Sequence, residues 1–169
     1  MKQAYFAGGC FWCITPFFAE LAGVESVISG FSGGKEANPA YAAVKAQQTG
    51  HRETICVTYD PQAVTYGDLL DLFLKSVDPF DGGGQFVDRG RSYTLAVYYT
   101  DESEKAALLA RLDALERQTG KTPCVAAEPF TAFWPAEELH QDYYKKNPEA
   151  FQKEWETSGR TAACPLHRK

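Results

Sequence analysis

The tripeptide Gly8-Gly9-Cys10 constrains this chain most, because it separates two hydrophobic periodicities within the first two dozen residues. Residues 2–7 read as a short strand. Beyond the glycines, Phe11, Phe17, Phe18 and Leu21 recur at helix-like intervals, so a strand passes through a glycine turn into a helix with Cys10 at its N-terminus. The free N–H groups and positive dipole end at that point favour a thiolate over a thiol. Cys13 follows one turn later on the same side, close enough for a disulfide after modest adjustment. Two buried cysteines beside a core Phe-Trp pair would carry no chemistry. The C-x-x-C spacing at a helix start favours the redox reading.

With 169 residues, 44% of them hydrophobic, the chain suits one domain with a substantial core. A net charge of −5, without any basic run interleaved with aromatics, argues against nucleic acid as a partner. Met1-Lys2 runs straight towards the glycine turn, with no room for an apolar leader, and no stretch is long enough to span a membrane. The expectation is a soluble cytoplasmic monomer, with export open only for a longer precursor. Five cysteines, an odd number without a regular framework, suit catalytic thiols in a reducing compartment better than a disulfide scaffold.

Further along, residues 24–32 read as a strand closed by Gly33-Gly34, and Asn38-Pro39 as the N-cap and first position of a short helix carrying Tyr41. By pattern alone Tyr41 is an ordinary half-buried tyrosine. In residues 53–59, strict alternation puts Glu53 on the core-facing side with Ile55, Val57 and Tyr59, and sends Cys56 to the other face as structural filler. A carboxyl group pointing inward, if desolvated, becomes an acid available near neutral pH. Thr65 caps a helix to about Val77, with Leu69, Leu70 and Phe73 on its inner face. Gly82-Gly83-Gly84 lacks the Gly-Lys-Ser/Thr continuation of a phosphate cradle, and Asp88-Arg89 reads as a solvated ion pair. Alternation returns in residues 92–99, with Tyr93, Leu95, Val97 and Tyr99 on one face.

Asp101 and Glu104 cap a long helix that buries Leu108, Leu109, Leu112 and Leu115 and ends at Gly120. Residues 124–129 are a further strand candidate, and Pro135 opens a helix bearing His140, Tyr143 and Tyr144 that Asn147-Pro148 interrupts. His140 taken alone is a structural histidine. The domain is placed at residues 1–157, and residues 158–169 form a mobile tail with Cys164 and His167. The element order predicts an α+β protein, a two-layer sandwich with a ferredoxin-like βαββαβ core.

Gly8-Gly9-Cys10-Phe11-Trp12, His51-x-Glu53, Asp88-x-Gly90-x-x-Tyr93, Pro135-Ala136-Glu137 and His140-Gln141-x-Tyr143 together resemble the A-type peptide methionine sulfoxide reductases over almost the whole chain. The resemblance implies the same sandwich fold. It also implies Cys10 as the nucleophile on the sulfoxide sulfur, Glu53 as the proton source for the oxygen, and Tyr41 and Tyr93 as its hydrogen-bond donors. Phe11 and Trp12 become the wall for the methyl group, and Asp88 and His140 the groups that hold the substrate's main chain. Many relatives have glycine at Cys13, tyrosine at Phe31 and glutamine at Ser92; the first difference changes recycling, the others only local hydrogen bonding.

The implied cycle leaves a sulfenic acid on Cys10, which a second thiol closes to a disulfide. Thioredoxin, or dithiothreitol in its place, then restores both thiols without a metal or organic cofactor. Cys13 is expected to resolve first, and Cys164 later or not at all. The implied substrate is the S epimer of methionine sulfoxide, free or in proteins, and the implied role is repair of proteins under oxidative stress. Two other readings stay open: a thioredoxin-like disulfide oxidoreductase using Cys10 and Cys13, and a zinc-binding module joining them to Cys164 and His167.

Overall fold

The structure is a computed structural model that describes residues 1–160. In chain order the elements are β1 (Lys2–Gly8), α1 (Phe11–Ala19), β2 (Val24–Ser32), α2 (Tyr41–Lys45), β3 (Arg52–Tyr59) and α3 (Tyr66–Ser76), followed by the two-residue strands β4 (Gly84–Gln85) and β5 (Asp88–Arg89). Then come β6 (Leu95–Tyr99), α4 (Glu102–Thr119), β7 (Val125–Pro129), β8 (Phe133–Pro135), α5 (Tyr143–Lys146) and α6 (Pro148–Thr157). Among the described residues the main sheet runs β7-β6-β1-β3-β2-β8. Its four central strands are mutually antiparallel at each ladder, and with α1 and α3 they form the expected βαββαβ core. The parallel strand β7 extends one edge and the antiparallel β8 the other.

Alternation along the strands divides the apolar residues between two faces. On one, Phe6 lies between Phe18 of α1 and Phe73 of α3 at ring separations of 5.2 and 5.3 Å, with Ile55, Val57, Leu95 and Val97 around them. Fully burying a side chain of this size contributes roughly 1.5–3 kcal/mol. On the opposite face Tyr5, Ala7, Cys56, Ala96 and Tyr98 form a smaller cluster, closed by Phe130 stacked on Tyr5 at 4.0 Å. Cys56 is thus packing material, as its place in the alternation implies, and burial pushes its thiol up to about 11.

Several local expectations change. Asn38 takes a left-handed φ of 44° instead of capping, so α2 starts at Tyr41 with Ala40 as its N-cap. Tyr93 does not begin a strand: Arg91–Tyr93 is a 3₁₀ turn after Gly90, and the strand starts at Leu95. Leu109 is 47% exposed, because the inner stripe of α4 follows the helical period from buried Leu108 to half-buried Leu112 and Leu115, with Leu109 a step of about 100° to one side. Pro135 ends β8 and opens no helix. There the Gln141 side chain accepts from the Ser29 amide at 2.8 Å and donates to the Ser29 and Ala136 carbonyls, pinning the segment to β2. His140 consequently lies in a short 3₁₀ turn. Ser158 and Arg160, at the start of the stretch read as a tail, are both buried. Cys164 and His167 lie outside the described residues.

Candidate active site

Cys10 is held where β1 ends and α1 begins. Gly9 makes this turn with a φ of 84°, and a Cβ there would stand 2.8 Å from that of Gln85, so both backbone conformation and space call for glycine. Cys13, one turn on, donates its amide to the Cys10 carbonyl at 3.1 Å, and both thiols are free and buried. They line a cavity of about 240 Å³ with Trp12, Tyr41, Lys45, Glu53, Val87, Asp88, Tyr93, Glu154, Thr157 and Ser158. Candidate site residues from four separate stretches, residues 10–13, 41, 53 and 88–93, therefore meet in one place. Phe11 and His140 lie behind the cavity wall.

The alternation in β3 aims Glu53 inward, and the side chain is 2% exposed. Its Oε2 accepts a 3.0 Å hydrogen bond from the Phe11 amide. Burial, reinforced by the charges of Asp88 and Cys13, outweighs that bond and the pull of Lys45 and pushes the carboxyl up to about 8. Glu53 is thus a protonated acid at neutral pH. Two residues earlier, His51 accepts the Gly34 amide on Nδ1 at 3.2 Å and contacts the Glu36 carbonyl through Nε2 at 2.7 Å.

The helix-terminus expectation for Cys10 is reversed. Its side chain makes no capping hydrogen bond, and the first helical amide is given to Glu53. The hydrogen bond with Cys13, burial, and the nearby Glu53 and Asp88 groups raise the Cys10 thiol. Cys13 moves the other way, lowered by its bond with Cys10 and by the charge of Arg160. The two thiols are thus shifted in opposite directions, Cys10 up and Cys13 down.

Around these groups the aromatic residues form a wall. Trp12 stacks on Tyr143 with centroids 3.9 Å apart and an interplanar angle of 10°, and His140 packs on Tyr41 at 4.1 Å. Burial lowers the His140 pKa, keeping the ring neutral. Burial, then the neighbouring Glu53, raises the Tyr41 and Tyr93 phenols, so both remain hydrogen-bond donors through the physiological range. Tyr93 is positioned through its neighbour: Ser92 donates its amide to Gln47 Oε1 at 3.0 Å and its hydroxyl accepts from Gln47 Nε2 at 2.7 Å. Asp88 does not pair with Arg89, which binds Asp81; it faces the cavity, where burial raises its pKa against the pull of Arg160 and Lys45.

Lys45, Glu154, Ser158 and Arg160 were not among the residues singled out from sequence. Lys45 carried a usable signal, since it follows Tyr41 by one turn of the same helix. The others carried none, because the packing of Trp155 against Phe17 at 5.8 Å, which sets where α6 lies, joins residues far apart in the chain.

Two adjacent thiols, a neutral carboxylic acid and two phenols facing an aromatic wall can attack a soft, electrophilic centre and protonate an oxygen bound to it. That is the equipment of a thiol-dependent reductase of a small polar group. The sequence pattern described as "Peptide methionine sulfoxide reductase" matches residues 2–165. Peptide methionine sulfoxide reductase MsrA 2 of Staphylococcus aureus strain MW2 is 43% identical over 168 residues, 98% of this chain and 95% of that protein. Peptide methionine sulfoxide reductase MsrA of Halalkalibacterium halodurans is 44% identical over 162 residues, 95% of this chain and 92% of that protein. Among solved structures, reduced Mxr1 of Saccharomyces cerevisiae superposes with a TM-score of 0.82 at 26% identity, covering 88% of this chain and 86% of that one. Methionine sulfoxide reductase A of Corynebacterium diphtheriae gives 0.79 at 28%, covering 87% and 75%. The fold is shared as well with Mxr1 in complex with Trx2, at 17% identity, a TM-score of 0.58 and 84% coverage of each chain. The chain belongs to the peptide methionine sulfoxide reductases, and within them to the A type.

Proposed function

We propose that this cavity reduces the S epimer of methionine sulfoxide with Cys10 as nucleophile and Glu53 as acid. The observation that carries the reading is a buried Cys10–Cys13 pair lining the same cavity as a carboxyl group that keeps its proton at neutral pH. Cys10 loses its proton as its sulfur meets the sulfoxide sulfur; the Cys13 thiolate bonded to it is the adjacent base. Glu53, with Tyr41 and Tyr93 donating to the same atom, protonates the oxygen as the sulfur–oxygen bond weakens. The oxygen ends on Cys10 as a sulfenic acid and methionine leaves. Trp12, backed by Phe11, Tyr143 and His140, takes the methyl group. Asp88, on the cavity surface, holds the substrate's main chain, and His140 acts from behind the wall by fixing Tyr41 and Trp12.

In the second half-reaction Cys13 attacks the Cys10 sulfenic sulfur, forming the disulfide and releasing water. A dithiol then reduces that disulfide and is itself oxidised. The complex of yeast Mxr1 with Trx2 supports thioredoxin as that dithiol, and dithiothreitol supplies the same chemistry in vitro. No metal or organic cofactor enters either step. Protein repair in the cytoplasm by a monomeric enzyme completes the reading. Incubation of racemic methionine sulfoxide with the protein and dithiothreitol, followed by chiral analysis, tests it: the R epimer remains and the S epimer is consumed. Consumption of neither epimer overturns the proposal, and reduction of insulin disulfides alone favours a thioredoxin-like oxidoreductase instead.

A further inference from the structure

The Arg160 side chain is fully buried, and none of its three side-chain nitrogens has a hydrogen-bond partner among the described residues. An unpaired guanidinium in such a place costs several kcal/mol unless an anion lies near it. Its location narrows the choice of anion. The guanidinium carbon sits 4.6 Å over the Phe86 ring, and Nη2 lies 3.3 Å from the point where a Cβ on Gly9 would be, at the turn that presents Cys10. The Arg160 amide donates to Ser158, which lines the cavity beside Cys13. Two potential anions feel its charge, Cys13 and Asp88, and neither forms a direct ion pair with it.

We propose that Arg160 is a positioning residue for the recycling half-reaction, its buried cation holding Cys13 as the thiolate that attacks the Cys10 sulfenic acid. The inference rests on the reading of Cys13 as the resolving thiol. The closing step balances: Cys13 gives up the proton it took from Cys10, its thiolate forms the sulfur–sulfur bond as the Cys10 sulfur–oxygen bond breaks, and the departing hydroxide takes that proton to leave as water. Only the deprotonated sulfur is nucleophilic, so closure follows the thiolate fraction at position 13. The lowered Cys13 pKa agrees with this placement. Asp88 makes a weaker candidate, because it is partly exposed and its own burial opposes ionisation.

The test uses the full chain with Arg160, Arg160→Lys and Arg160→Met. In a Cys10→Ser background, the rate at which iodoacetamide modifies Cys13 is followed from pH 5.5 to 9.5 by mass spectrometry. The proposal predicts a profile displaced to higher pH in Arg160→Met, with modification at least about fivefold slower at pH 7 and restored at pH 9, and an intermediate profile in Arg160→Lys. With both cysteines present, closure of the disulfide after one equivalent of substrate slows in parallel and recovers at high pH. A purely structural loss is not repaired by alkali, so recovery separates the two. An unchanged Cys13 profile in Arg160→Met overturns the proposal, as does a loss that pH 9 fails to restore. Separately, unimpaired disulfide formation by Cys13→Ser removes Cys13 from the resolving role, whatever Arg160 does to its reactivity.

Discussion

The Phe11 amide, the first in α1, donates to Oε2 of Glu53, 42 residues away in sequence and at the start of β3, over 3.0 Å. One hydrogen bond therefore ties the helix that carries Cys10 to the strand that carries the acid. It also uses the amide that would otherwise have served a thiolate at the helix N-terminus. The acid keeps its proton because the single bond is outweighed by burial.

Glu53→Gln is expected to preserve this bond, since the amide oxygen still accepts, while removing the proton to be transferred. Single-turnover methionine release should slow by about 10²–10⁴-fold with substrate affinity within about threefold of wild type. The wild-type rate should also fall as pH rises through about 8, where Glu53 ionises. Rapid-quench measurement across pH 6–9.5 checks both, and an unchanged rate in the variant removes Glu53 from proton transfer.

The same carboxyl group makes the fold sensitive to pH. In the unfolded chain a glutamate ionises near ~4.3, whereas Glu53 in the fold keeps its proton up to about 8. Below the unfolded value both states are protonated and stability is undiminished. Between the two values the unfolded chain releases a proton that the fold retains, so stability declines as pH rises and levels off above about 8. Glu53→Gln should therefore gain stability over wild type from pH 5 to pH 8, by an amount on the order of a few kcal/mol. Urea unfolding at the two pH values measures the difference; a constant gap contradicts the raised pKa.

Tyr41 and Tyr93 reach the cavity from α2 and from the turn before β6, with no hydrogen bond joining them. Either hydroxyl alone still leaves a donor for the oxygen. Tyr41→Phe and Tyr93→Phe should each slow methionine release by about threefold or less, and the double variant by more than the product, about 10². Strict additivity at a few-fold each would point to packing instead of donation.

Gly9→Ala places a side chain on a left-handed residue, against Gln85, whose amide also binds the backbone of Asp78. The expected cost is about 2 kcal/mol, read as a lowered denaturation midpoint, with a larger relative loss of turnover because Cys10 is the next residue. Wild-type stability would show that the turn yields more easily than its geometry indicates.

Much of this site was legible before the fold. Alternation through Ile55, Val57 and Tyr59 aimed Glu53 inward, and two glycines before Cys10 placed it at a turn; both are local patterns set by one strand and one helix start. The direction of the Cys10 shift was not legible, because it depends on Cys13, Glu53 and Asp88 converging in space. Tyr93 reached the cavity as expected but from a 3₁₀ turn, since Gly90 and the Gln47–Ser92 bonds override the apparent alternation. The helix expected from Pro135 failed for a similar reason: Gln141 binds Ser29, more than a hundred residues earlier, and no periodicity reports that contact. Arg160 was invisible because its burial without a hydrogen-bond partner among the described residues is something only packing reveals.

The central claim is that the oxygen of methionine sulfoxide passes to Cys10. Reduced wild-type and Cys10→Ser proteins are each mixed with one equivalent of methionine S-sulfoxide in the absence of reductant, and released methionine is counted per chain. Wild type should release about one methionine, with Cys10 found in a disulfide by peptide mapping, and Cys10→Ser none, because a serine hydroxyl cannot accept the oxygen as a sulfenic acid does. Methionine released by Cys10→Ser at a rate near that of wild type contradicts the account.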